Sequence, residues 1–252
     1  MLLELQKGII YGPVNSRRLG RSLGINILPG NRKVCPFNCV YCQYGWTKFH
    51  CSKIQRFPEL PSVKATRQAL KDELLAMSFP PAYITFSGNG EPTLHPDFGL
   101  IVEEVITVRN QLAPEAKTAV LSNSVLIYDN TIKNALEKLD VKIMKLDCGE
   151  EKTFKKYNQP CSGIKLEDIT AGLKKLSDVT IQTLISSGKS GNFNSDNITS
   201  WVKRIKRINP LSVQIYTIDR GYPAKGLKPA RKKELDQIKT TIQKSGISAA
   251  VF

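Results

Sequence analysis

Strand-period and helix-period segments take turns along almost the whole chain, and this alternation restricts the fold more than any other feature. Leu23, Ile25 and Ile27 alternate with small or polar residues over 22–28, the period of two that a strand requires. Pro29-Gly30 ends the segment. Over Ala82–Ser87 the pattern recurs, with Ile84 and Phe86 on one face and Thr85 and Ser87 on the other. Further strands are expected at Lys117–Leu121, Val141–Leu146, Val179–Ile185 and Leu211–Ile218, with a closing strand at Ile247–Phe252. Helices are expected between them at Ser62–Met77, Phe98–Asn110, Asn130–Leu139, Lys165–Ser177, after a cap at Asp196, and over Ala230–Ser245. Their apolar stripes, such as Leu70, Leu74 and Met77, keep helical spacing. The stretch from Tyr11 to the first strand reads as a polar turn.

Six strands regularly interleaved with helices predict a parallel sheet with right-handed crossovers. The expected fold class is α/β: a partial (β/α)6 TIM-type barrel with outer helices and active-site groups at the C-terminal ends of the strands. The chain has 252 residues and no linker or repeat divides it. A single domain over 1–252 is therefore expected, with a cysteine loop at 31–57, the barrel at about 22–220 and a C-terminal helix and strand at 229–252.

Directly after the first strand comes Cys35-Pro-Phe-Asn-Cys39-Val-Tyr-Cys42. Three thiolates on one short loop can hold three corners of a four-iron cluster and leave the fourth iron open; a cluster that only carries electrons normally takes four cysteines. Structural zinc is the alternative, with His50 or Cys51 as fourth ligand, although one CxxC knuckle with an offset cysteine is poor zinc spacing. A disulfide framework is disfavoured: there are 6 cysteines in the whole chain, and Met1–Ile10, which carries Glu4 and Lys7, reads as lacking a signal-peptide cleavage site. With no apolar run long enough to cross a bilayer, the expectation is a cytoplasmic monomer that does not associate with membranes. The formal charge of +15 suits RNA or small phosphorylated or carboxylated substrates, or simply solvated helix faces. No aromatic-interleaved basic stretch of the kind that stacks bases accompanies it.

Polar residues on the expected strands should face the lumen, because the outer face packs under helices. Lys145 and Asp147 share one face, against Met144 and Leu146 on the other. A buried charged pair costs several kcal/mol unless partnered, so these two either meet a ligand or brace the barrel as an ion pair. Gln182 and Gln214 are polar members of two later strands. Gly88-Asn89-Gly90-Glu91 ends the second strand; glycines there permit unusual φ angles and a close ligand, and Glu91 could accept hydrogen bonds from an ammonium group. Ser122-Asn123 ends the third strand, where Asn123 could meet a ribose or a carboxylate. His95 reads as a loop brace.

The cysteine spacing, with Tyr41 just before the last cysteine, resembles the signature of the radical S-adenosylmethionine (SAM) superfamily. Gly12–Gly20, Phe86–Pro96, Lys145-Leu-Asp147 with Thr153–Asn158, and Tyr216–Arg220 are similar to a group of stand-alone members related to the enzyme that builds the tricyclic wyosine base in tRNA. The resemblance implies that Cys35, Cys39 and Cys42 hold a [4Fe-4S] cluster whose open iron takes the amino and carboxylate groups of SAM. An electron from the cluster would split SAM into methionine and a 5′-deoxyadenosyl radical, which abstracts hydrogen from a substrate. By the same resemblance Tyr41, Ser87, Gly88, Asn89, Gly90, Glu91, Ser122, Asn123 and Gln182 are cofactor-binding candidates. Lys145, Asp147 and Cys148 are catalytic candidates, Cys148 as a hydrogen donor unless it is only a small buried hydrophobe. Arg17 and Arg18 are candidates to line the site. The implied partners are an electron donor such as flavodoxin or ferredoxin and a small-molecule, peptide or tRNA substrate. The sequence departs from the family's Gly-Gly-Glu segment, where Asn89 replaces the middle glycine. These residues show no flavodoxin-like domain, no cysteine-rich N-terminal segment and no cysteine after Cys161.

Overall fold

The computed structural model of the chain describes residues 1–53 and 56–252; Ile54 and Gln55 of the expected cysteine loop lie outside the described residues. Its central sheet comprises β1 (Ile10–Ser16), β2 (Gly20–Ile25), β3 (Tyr83–Phe86), β4 (Lys117–Ser122), β5 (Val141–Lys145), β6 (Val179–Leu184), β7 (Ser212–Tyr216) and β8 (Ser248–Val251). Neighbours in the sheet are neighbours in sequence throughout. β2 to β8 pair in parallel, and β1 pairs antiparallel with β2 at the edge. Strictly sequential order with right-handed crossovers puts every connecting helix on the same face. The sheet therefore curls with its helices outside, and its other face becomes a concave interior.

Side-chain alternation follows that split. Leu23, Ile25, Ile84, Phe86, Val120, Met144, Ile181, Val213 and Ile215 are buried in the apolar core. Ser22, Gly24, Thr85, Lys145, Gln182 and Tyr216 line a cavity on the interior face. The outer helices are α1 (Val63–Ala76), α2 (Phe98–Leu112), α3 (Asn130–Glu137), α4 (Glu151–Tyr157), α5 (Leu166–Leu173), α6 (Ser195–Ile208) and α7 (Lys232–Gln243). Ser62 caps α1, its side chain accepting from Ala65 N at 3.1 Å, as its position before the apolar stripe requires.

The expected closing strand is present as β8, paired in parallel with β7 at the edge of the sheet. Two expectations are corrected. The stretch from Tyr11 is strand β1, not a polar turn. It escapes pattern reading because Gly12, Pro13, Val14 and Asn15 are all exposed, so no apolar face alternates with a polar one. Its register also shifts between Tyr11 and Val14. Finally, α6 is capped by Asn194, whose side chain accepts from Asn197 N at 2.9 Å, and not by Asp196. The extended backbone of Asn194 (φ −145°) suits a cap, while Asp196 lies in the first turn, where its charge faces the positive end of the helix.

β1 matters because it reaches into the interior. Tyr11 lays its ring across Gly24, where an added Cβ would come within 2.2 Å of Tyr11 Cζ. The Tyr11 hydroxyl meets Ser87 Oγ. Gly24 is thus the gap in β2 that the ring fills.

Candidate active site

The cysteine loop crosses the C-terminal ends of the strands and is held from two sides. On one side Val34 and Gly90 form a parallel bridge. Val34 N donates to Asn89 O at 3.0 Å, and Glu91 N donates to Val34 O at 3.0 Å. Gly90, at φ +138°, makes this approach feasible: a Cβ there would lie 1.8 Å from Val34 O. On the other side stands α4 with the turn that follows it. Asn38 N donates to Asn158 O at 3.0 Å and Val40 N to Tyr157 O at 3.0 Å. Phe37 meets Phe154 edge-on at 5.4 Å, and Tyr41 stacks at a tilt on Tyr157 at 4.9 Å.

The three sulfurs line one cavity of about 490 Å³ together with Tyr41, Ser87, Gly88, Gly90, Glu91, Ser122, Asn123, Lys145 and Gln182. Each sulfur is approached by donors. Phe37 N (3.4 Å) and Asn123 Nδ2 (3.6 Å) address Cys35, Asn158 Nδ2 (3.4 Å) addresses Cys39, and Lys33 Nζ (3.0 Å) addresses Cys42. The other two buried cysteines are placed the opposite way, as thiols facing acceptors. Cys51 donates to Lys53 O at 2.8 Å and Cys148 to Asn158 Oδ1 at 3.5 Å. Hydrogen-bond donors favour the thiolate over the thiol, so what faces each sulfur sets the loop trio apart from Cys51 and Cys148. Burial raises Cys35 above the ordinary thiol range and Cys39 to about 11; a bound cation supplies the charge that deprotonates such sulfurs. The three sulfurs open on one cavity with donors around them. Among the described residues no three His, Cys, Asp or Glu side chains are gathered around a single metal-ion site. A donor set that gives one thiolate to each of three irons fits a cluster with one uncommitted iron. The zinc alternative loses its fourth ligand: His50 is exposed, and neither it nor Cys51 lines the cavity.

Glu91 sits 1% exposed at the end of β3. Its Oε1 accepts from Thr93 N (3.2 Å), Thr93 Oγ1 (2.7 Å) and Ser122 Oγ (2.9 Å), and its Oε2 from Asn123 N (2.6 Å). Burial holds its pKa above the ordinary carboxylate value, and these four bonds pull the other way. Glu91 therefore ties the end of β4 to the glycine-rich turn and fixes Asn123 beside Cys35. Asn89 lies elsewhere. It is fully buried and absent from the cavity lining. Its amide donates to Gln6 O (2.8 Å) and Pro29 O (2.9 Å), and its Oδ1 accepts from Gln6 N (2.8 Å). Asn occupies the family's glycine position because it pins the N-terminal segment to the turn.

Lys145 and Asp147 are brought together at 3.7 Å, but only Lys145 lines the cavity. Asp147 is buried behind it, accepting from the Tyr41 hydroxyl, Asn158 Nδ2 (2.8 Å) and Leu184 N (2.9 Å). Burial would lower the Lys145 pKa, yet Asp147 and Tyr216 outweigh it and hold the ammonium form. The pair accordingly braces the barrel and presents one charge to the lumen. Asp147→Asn leaves that ammonium without its counter-charge, and a loss of about 3–5 kcal/mol in chemical denaturation is the expected result. Cys148 is fully buried and does not line the cavity. His95 braces its loop, its Nε2 within 3.0 Å of Pro61 O.

Two residues that touch the sulfurs escaped the sequence reading. Asn158, inside the quoted Thr153–Asn158 segment, had no role there, and its signal was that motif alone. Lys33 had no signal, because a loop has no period to relate it to Cys42.

The family model described as Radical SAM superfamily matches residues 33–219, from Lys33 through the end of the cavity-lining strands. The chain belongs to the radical SAM superfamily. It is accordingly an enzyme whose cofactors are a [4Fe-4S] cluster and SAM. Within the superfamily it is similar to a UPF0026 protein of Helicobacter pylori, 31% identical over 215 residues that cover 84% of this chain and 67% of that one. A UPF0026 protein of Methanocaldococcus jannaschii is 31% identical over 240 residues, covering 91% and 70%. Among solved structures, TYW1 with a lysine-pyruvate adduct bound has the same fold, with a TM-score of 0.60 at 17% identity over 89% of this chain and 73% of that one. No helix among the described residues is long and apolar enough to cross a membrane.

Proposed function

We propose that Cys35, Cys39 and Cys42 hold the cluster and that the adjoining wall of Glu91, Ser122 and Asn123 with Gly88 and Gly90 receives SAM. When bound, the pair supplies a 5′-deoxyadenosyl radical for hydrogen abstraction, chemistry that belongs to the cofactors rather than to side chains. The chain's own part is positioning. Asn123 and Phe37 N hold Cys35, Asn158 holds Cys39, and Lys33 holds Cys42. Outer partners of this kind orient ligands and tune the metal. Tyr41, anchored on Asp147, closes the wall between the cluster and Lys145.

The observation that carries this reading is the opposite polarity around the cysteines: donors toward the three loop sulfurs, acceptors toward Cys51 and Cys148. The test is anaerobic reconstitution with iron and sulfide, then SAM and dithionite. Equal amounts of 5′-deoxyadenosine and methionine are expected; a fully loaded cluster that never cleaves SAM would count against the reading. We place the protein in the cytoplasm as a monomer, because a reduced cluster needs a reducing compartment, and we assign flavodoxin or ferredoxin as its electron donor.

A further inference from the structure

We propose that the cavity wall built by β5, β6 and β7 is a receptor for a terminal oxyanion of the substrate, a carboxylate or a phosphate, gripped by Gln182, Lys145 and Arg18 around Tyr216. The proposal deepens the reading above and rests on it, since the same cavity admits SAM.

Its first support is an orphaned donor. Gln182 is only 7% exposed and lines the cavity, yet its Nε2 has no hydrogen-bond partner among the described residues. The amide is oriented. Lys145 Nζ donates to Tyr216 Oη at 3.4 Å, and the hydroxyl's own proton goes on to Gln182 Oε1 at 3.4 Å. The nitrogen is left for a further acceptor. Gln214, the register neighbour, does not provide it, since its own Oε1 is also without a donor. A buried unpaired donor is destabilising, so an acceptor from the substrate relieves a standing penalty.

The second support is charge. The lining holds Arg17, Arg18, Lys33, Lys145 and Arg220 against Glu91 and Asp219. Arg17 pairs with Asp219, Lys33 faces Cys42, Lys145 has Asp147 behind it, and Glu91 is engaged by Thr93, Ser122 and Asn123. Arg18 has no carboxylate partner among the described residues. It stacks on the Tyr216 ring at 4.6 Å, which leaves the guanidinium edge open for in-plane pairing with two oxygens. Tyr216 thus orients all three groups: it carries Arg18 on its face and joins Lys145 to Gln182 through its hydroxyl. A neutral or cationic substrate would leave Gln182 unpaired and Arg18 without a counter-charge, since Lys145 alone of the three groups already has a carboxylate, Asp147, beside it.

The test uses reconstituted, SAM-loaded protein with inorganic phosphate and acetate as separate probes. Isothermal titration calorimetry, with the cluster left oxidised so that SAM is not cleaved, reports binding of each. Saturable binding is expected for at least one anion, and which one binds separates a phosphate from a carboxylate substrate. In Arg18→Gln and in Gln182→Glu, which keeps the acceptor for Tyr216, anion affinity should fall at least about tenfold more than SAM affinity does. SAM binding without saturable binding of either anion overturns this proposal alone. Parallel loss of SAM and anion affinity overturns it too, by assigning Arg18 and Gln182 to the cofactor. Failure of the unaltered protein to bind SAM overturns both readings.

Discussion

Cys35→Ala, Cys39→Ala and Cys42→Ala are each expected to lose the reconstituted cluster, with 5′-deoxyadenosine falling to background. Cys51→Ala and Cys161→Ala should retain iron and sulfide at the level of the unaltered protein. The contrast follows from what faces each sulfur. The loop trio meets donors, with Lys33 Nζ 3.0 Å from Cys42, whereas Cys51 spends its own proton on Lys53 O. Cys161 lies outside the cavity lining. A graded result is expected one layer out. Asn158→Leu removes the donor to Cys39 and the bond to Asp147 together, and losses of outer partners of this kind run about 10–100-fold in metal affinity or activity. Iron and sulfide analysis of each variant is the check. Equal iron loss from Cys51→Ala would make Cys51 a fourth cysteine ligand of the cluster and leave no iron open.

Gly90→Ala is the second large effect. The new methyl group would sit 1.8 Å from Val34 O, on a backbone at φ +138°. Strain at such a φ costs about 1–3 kcal/mol, and overpacking adds a similar amount. Gly246 separates the two terms. It also has positive φ, +78°, but a Cβ there meets nothing within 4 Å, so Gly246→Ala carries only the conformational cost of about 1–2 kcal/mol. Denaturant midpoints should place Gly90→Ala well below Gly246→Ala. Only Gly90→Ala should also lose cluster incorporation, because it unseats the bridge that holds Val34, next to Cys35, against the end of β3. Equal destabilisation with the cluster intact would mean that this stitch does not position the loop.

The sequence exposed those parts of the fold where burial writes a period. The βα units could be read because Ile84 and Phe86, or Met144 and Leu146, mark an outer face against polar partners turned inward. Parts that bury no face of their own stayed hidden. β1 is exposed at Gly12 through Asn15. α4 spans 7 residues, and its two buried side chains, Phe154 and Tyr157, pack on the cysteine loop. At the site, Cys35, Cys39 and Cys42 were legible because their mutual spacing is local. The company they keep was not. Lys33, Asn123 and Asn158 reach the sulfurs only through tertiary folding, and Asn89 was read as a cofactor contact because it stands in the segment that resembles the family's Gly-Gly-Glu, whereas its amide is turned to Gln6 O and Pro29 O. Strand parity put Lys145 and Asp147 on one face, but it carried no information on depth, which separates the lumen-facing lysine from the buried carboxylate.

The account stands on one iron of the cluster being free of cysteine and taken by SAM. Mössbauer spectra of ⁵⁷Fe-reconstituted protein, recorded with and without SAM, test that directly. Three cysteine ligands on four irons predict that about a quarter of the iron signal shifts to a higher coordination number when SAM is added, while the remainder is unchanged. A spectrum indifferent to SAM, from a cluster with four equivalent cysteine-ligated irons, would contradict it.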